Sequence, residues 1–90
     1  MENELTDIEY DILNALYFVE PLEHILEECK AAPPVVTDVL KQLIHKKMVV
    51  PMKWDEIKSE YVHSFMYDSD NMYAYRYVAT KAGLMAHNGR

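Results

Sequence analysis

The apolar positions of this chain switch between helical and strand-like spacing. Val36, Val39, Leu40 and Leu43 recur along one helix face. At about 100° per residue, Asp38, Lys41, Gln42 and His45 point the other way. Met48, Val49 and Val50 follow as a contiguous, partly β-branched run, which predicts a strand over about residues 48–52, stopped by Pro51. Upstream, Ile8, Ile12, Leu16 and Val19 form a stripe with Leu13 beside it, predicting a first helix over about residues 6–19. Thr6 and Glu9 have capping-box spacing, and Asp7 adds negative charge to the first turn. Pro21 breaks that helix and suits the start of a second, over about residues 21–29. Leu22, Ile25, Leu26 and Cys29 share one face of it, and Glu20, Glu23, Glu27 and Glu28 decorate the other. In the following turn Pro33 forces Ala32 out of the helical region, so a third helix is expected over about residues 34–46.

The stretch from Lys53 to Asn71 fits two patterns. Trp54, Ile57, Tyr61 and Phe65 match a helix stripe, whereas Tyr61, His63, Phe65 and Tyr67 match one face of a strand. Asp68–Asn71 is a turn signal, and Met72–Val78 then alternates. The preferred reading is a long hairpin in which Glu60–Tyr67 turns at Asp68–Asn71 and returns through Met72–Ala79. The strand before Pro51 joins the same sheet. The periodicity alone does not exclude a short helix within Asp55–Tyr61. Thr80 suits the N-cap of a fourth helix over about residues 80–88, and the tail His87–Arg90 is expected to fray.

Ninety residues, half of them apolar, make one small domain. No run of about 18 apolar residues marks a membrane helix. The acidic start MENELTDIEYD lacks the positive region of a secretory signal. Cys29 is the only cysteine, so no intrachain disulfide forms, and a reducing cytoplasm is the expected location. The net charge of −6 is unevenly spread. Nine acidic residues and one basic residue lie up to Lys30, and five of each sign lie from Pro51 onward. Only Ala31–Val50 is net basic, with Lys41, Lys46 and Lys47 against Asp38. That excess suits contact with phosphate, and equally suits cations placed at a helix C-terminus to complement its dipole.

The run VLKQLIHKKMVV resembles the recognition helix and following strand of winged helix-turn-helix DNA-binding domains. Tyr77-Val78-Ala79-Thr80-Lys81-Ala82-Gly83 is similar to the strand-to-helix step that closes the wing in that family. The resemblance implies an α+β, mainly helical fold: a three-helix core, a small antiparallel β-hairpin wing and a C-terminal helix. It implies a transcriptional regulator that binds double-stranded DNA through the third helix. Two positions depart from the family pattern. The third helix begins at prolines where Ser or Thr is usual, and Lys47 stands where the family often has Gly at positive φ.

On this reading Lys41 and Lys46 reach guanine edges or phosphates, and Gln42 pairs with adenine. His45 and Thr37 add weaker contacts, and Asp38 accepts from cytosine. Lys47 adds charge at the helix end, and Arg76 on the returning strand is a phosphate or minor-groove candidate. The four carboxylates of helix 2 and the acidic Asp68–Asp70 turn oppose phosphate binding. They favour the alternative of a protein–protein interaction module. Trp54, Tyr61, Phe65, Tyr67, Tyr73, Tyr75 and Tyr77 crowd one segment, more than one sheet face can bury, which points to a homodimer through helix 1 or the wing. No phosphate loop, metal-ligand spacing or nucleophile motif is present, so neither an enzyme nor a cofactor or metal site is expected.

Overall fold

The apolar stripes of α1 (Asp7–Ala15), α2 (Leu22–Glu28) and α3 (Pro33–His45) converge on one core in the computed structural model, which describes residues 4–90. Residues 1–3 of the acidic N-terminal stretch lie outside the described residues. Ile12, Leu13, Leu16, Leu22, Ile25, Val36, Leu40 and Leu43 are buried together in this core. A four-stranded antiparallel sheet closes the domain. Its strands are β1 (Glu20–Pro21), β2 (Val49–Asp55), β3 (Glu60–His63) and β4 (Arg76–Ala79), in the order β1-β4-β2-β3. A fourth helix, α4 (Lys81–Asn88), packs against α1 and β4. Over the described residues the chain is thus an α+β domain with four α-helices and a four-stranded antiparallel sheet.

The helix starts follow the local chemistry of the sequence. Thr6 and Glu9 form a complete capping box, with the Glu9 N–H donating to Thr6 Oγ1 and the Thr6 N–H donating to Glu9 Oε1. Ala32 is extended (φ −63°, ψ 145°), and Pro33 and Pro34 occupy the first turn of α3. Thr80 caps α4 by accepting from the Gly83 N–H.

The sheet departs from the expected hairpin. β3 covers only Glu60–His63 and pairs with β2 across a turn at residues 56–59, not with the chain returning after Asp68–Asn71. That return begins as a short 3₁₀ turn, Met72–Ala74, and its strand β4 pairs with β2 and β1. No helix forms within Asp55–Tyr61: Asp55 Oδ1 accepts from the Ile57 and Lys58 N–H groups, closing a turn in which Ser59 takes φ 55°. Nor does Pro51 stop β2, which runs on to Asp55. The registers explain the tolerance. Met48 and Thr80 share a backbone bond, so Met48, Val50 and Met52 bond toward β4 while Pro51 faces the β3 side. There it needs only its carbonyl, which accepts from the Ser64 N–H.

Helix α1 is also shorter than its apolar stripe. Leu16 caps it, and the Leu16 carbonyl accepts from the Ala79 N–H, which diverts the chain into β1. At the other terminus, His87–Arg90 is tied down instead of frayed. The His87 ring is buried and stacks on Tyr10 at 4.2 Å. Tyr17 Oη donates to Asn88 Oδ1 (3.0 Å) and lies 2.8 Å from His87 Nδ1. Arg90 lies over the Tyr10 ring and pairs with Asp7.

One backbone junction links α3, the sheet and α4. Lys47 reverses the chain at φ 65°, in the left-handed region. The Met48 N–H then returns to the Leu43 carbonyl, the Thr80 N–H donates to Met48 and the Thr80 hydroxyl donates to Lys47. Gly83 packs directly on this junction, where a Cβ would lie 2.2 Å from the Met48 carbonyl oxygen. Gly83→Ala is therefore expected to destabilise the domain by at least about 1–3 kcal/mol, as overpacking against backbone. Leu40→Ala, at a fully buried position, is expected to cost about 2–5 kcal/mol. Urea denaturation followed by circular dichroism measures both.

Candidate nucleic-acid interface

The outward face of α3 is set by the helix period. With Val36, Leu40 and Leu43 inward, Asp38, Gln42 and His45 are exposed and Lys41 is half-buried. These four side chains make no hydrogen bonds among the described residues, so they are available to a ligand. The turn before α3 comprises Cys29, Lys30, Ala31 and Ala32, a length typical of a helix-turn-helix. The other expected contacts are placed differently. Thr37 donates its hydroxyl to the Pro34 carbonyl (3.0 Å), which commits its proton inside the helix. The two prolines at the head of α3 offer no N–H to an anion.

Lys46 is drawn away from the solvent face. Its Nζ lies 3.2 Å from Glu9 Oε2, and the Glu9 side chain is almost wholly buried while Lys46 is half exposed. Burial by itself raises the Glu9 pKa. The Thr6 backbone bond, with the Lys46 bond and charge, outweighs it and holds the carboxyl below its usual value. The capping residue of α1 thus fixes a cation at the C-terminus of α3. Lys47 remains exposed beside it.

Arg76 is not part of this face. It lies on β4 opposite Met52 and Pro21, with its guanidinium 5.3 Å from the centre of the Tyr61 ring. Strand alternation puts Tyr75, Tyr77 and Ala79 on the core side, where they are buried. Arg76 and Val78 point to the opposite side with Val50, Met52, Trp54, Tyr61 and His63. Met52 is buried yet does not join the main core cluster. The seven crowded aromatics therefore divide. Tyr75 and Tyr77 enter the core, and Tyr77 donates its hydroxyl to the Met72 carbonyl while burial pushes its pKa up. Tyr67 is partly buried against the core, edge to face with Tyr75 at 5.9 Å; Trp54 and Tyr61 meet edge to face on the outward side at 5.0 Å, and Phe65 and Tyr73 are exposed.

The residues missed in the sequence are those joined across the chain. The Tyr17–His87–Asn88 chain spans about 70 positions, and no local pattern announces it. The outward Trp54–Tyr61–Arg76 group was legible only as separate strand residues. Among the described residues, no three His, Cys, Asp or Glu side chains gather to hold a metal ion, and no helix is long and apolar enough to cross a membrane. Burial, reinforced by Asp11 and Glu28, raises the Cys29 thiol to about 11, so it stays protonated near neutral pH.

A stability prediction follows from Glu9. Its folded pKa is lowered, so its contribution is fully present above the unfolded carboxylate value and is lost as pH falls through the folded one. Gln at this position still caps the helix but carries no charge. Glu9→Gln is expected to cost about 1 kcal/mol at pH 7 and to flatten the loss of stability below about pH 4.5. Urea midpoints from pH 3 to 7 provide the measurement.

No family model, curated protein or solved structure matches this chain.

Proposed function

We propose that the chain is a winged helix-turn-helix domain that binds double-stranded DNA, with α3 as the recognition helix and the β2–β3 hairpin as the wing. The carrying observation is the outward face of α3, where Asp38, Lys41, Gln42 and His45 project without internal partners beside Lys47. The four-residue turn from α2 supports it. So does the element order, in which a short strand between α1 and α2 pairs into the sheet. Gln42 and Lys41 supply base-edge contacts, and Lys47 supplies phosphate contact. Lys46 has a divided role, because its ammonium already neutralises Glu9. Thr37 is a minor contributor for the reason given above, and Arg76 serves the outward sheet face. The domain acts as a small transcriptional regulator whose affinity is modest, since few cations face the duplex against a net charge of −6.

A second reading is favoured by one observation. Ile57, Phe65 and Met66 are 97%, 92% and 91% exposed around the hairpin. Such residues suit a protein contact, and an interaction module with no DNA partner would use them.

Fluorescence anisotropy of a labelled mixed-sequence duplex, at low and physiological salt, separates the two. The DNA reading expects binding that weakens with salt. Lys41→Ala combined with Lys47→Gly is expected to lower low-salt affinity at least about tenfold. The same double variant is expected to make the salt dependence shallower, by about one unit of slope for each phosphate left without its lysine. Glycine at position 47 keeps the left-handed turn. Lys46→Ala is expected to affect stability more than affinity. No binding at low salt, or an unchanged double variant, overturns the assignment of α3.

A further inference from the structure

β3 is the outermost strand of the sheet, and one hydrogen bond fixes the phase of its free edge. The Ser64 N–H donates to the Pro51 carbonyl at 2.9 Å, in register with the pairs Met52–His63 and Lys53–Val62. In an antiparallel ladder, alternate residues turn both backbone groups to the same neighbour. Glu60, Val62 and Ser64 therefore face β2. The N–H and C=O groups of Tyr61 and His63 point away from it. Proteins blunt such edges with charges, prolines or covering loops. Here the two residues whose backbone faces outward, Tyr61 and His63, bring neither a proline nor a carboxylate, lysine or arginine side chain to the edge, and the flanking Phe65 and Met66 are among the most exposed apolar residues.

We propose that this edge pairs antiparallel with the same edge of a second copy of the chain, about a two-fold axis passing through Val62. The symmetry restricts the register. A two-fold axis normal to the sheet preserves its faces, so opposed residues must share a side, and the axis must pass through a residue. The Val62-centred register alone engages both free residues on each strand. Tyr61 lies opposite the partner's His63, and each of the two such pairs exchanges two backbone hydrogen bonds. Val62 meets the partner's Val62 on the other face. Charge is compatible with this match: Glu60 lies opposite the partner's Ser64, so no like charges oppose each other across the seam.

The side chains are ordered in advance. Tyr61 is held between the edge of Trp54 (5.0 Å) and the Arg76 guanidinium (5.3 Å), so little freedom is lost on association. In the dimer, the outward row runs Trp54, Tyr61, the partner's His63, the partner's Met52 and the partner's Arg76, and joins two sheets into one of eight strands. An unrelated extended peptide could use the same backbone groups, but it would lack the two-fold match at Val62. The proposal does not depend on DNA binding.

Sedimentation of the full chain at tens of micromolar is expected to give twice the mass of 10.6 kDa. Val62→Lys sets two ammonium groups against each other at the axis and is expected to weaken the dimer at least tenfold while retaining the monomer's circular dichroism. Val62→Cys tests the register without depending on that variant's folding. Opposed residues in a non-hydrogen-bonded pair have Cα atoms about 4.5 Å apart, within disulfide range. Mild oxidation is expected to convert Val62→Cys to a covalent dimer, and to leave Glu60→Cys, whose symmetry mates lie four residues out of register, largely uncrosslinked. Cys29, being buried, is the common background. A monomeric wild-type chain overturns the proposal. So does a dimer untouched by a folded Val62→Lys, or equal crosslinking of the two cysteine variants.

Discussion

The architecture depends on the backbone junction at Lys47–Met48. There α3 ends, β2 begins and α4 is seated, through main-chain groups joined by one side chain, the Thr80 hydroxyl. Lys47 takes a conformation that disfavours any side chain, and the surrounding bonds hold it there. The Met48 carbonyl accepts from Thr80 while Gly83 packs against it. Because these contacts are backbone to backbone, they set the angle between α3 and the sheet with little freedom. The face that α3 shows to solvent follows from that angle and from the burial of Val36, Leu40 and Leu43.

Electrostatics sets the limits of that face. A chain with net charge −6 can attract phosphate only where its cations are left uncompensated. Glu9 compensates Lys46, and it does so for a structural reason. The carboxylate that closes the capping box of α1 is desolvated by the core, and a buried charge is far less unfavourable when a cation is beside it. Glu9 thus withdraws one of the three lysines at the C-terminal half of α3 from the solvent-facing charge. Lys41 and Lys47 carry the remaining cationic character of the α3 face.

The two sides of the sheet follow different rules. The core side takes Val49, Tyr75, Tyr77 and Ala79 and satisfies the one deeply buried phenol with the Met72 carbonyl. The outward side carries Trp54, which stays about half exposed, and Tyr61 with Arg76 laid over it. Aromatic and cation–π contacts stiffen this surface without hiding it. A rigid, partly apolar face beside an open strand edge is a suitable ground for association.

Local patterns in the chain were enough to place the helices and the caps that start α1 and α4. The 3.6-residue period of the apolar stripes marked α2, α3 and the core of α1, and Thr6, Pro33 and Thr80 marked helix starts, because helical spacing and capping are local properties. The outward residues of α3 followed from the same period. Tertiary structure decided what depends on partners distant in sequence. Whether Pro51 ends a strand turned on which edge its missing N–H faced, and Glu60–His63 pairs with β2 across the turn closed by Asp55, not with the chain returning after Asp68–Asn71. The pairing of Lys46 with Glu9 and the docking of His87 on Tyr10 join residues 37 and 77 positions apart. Strand register and long-range ion pairs are chosen by the energy of the assembled core, so alternation alone pointed to a hairpin turning at Asp68–Asn71, and the packed fold replaced it with one turning at residues 56–59.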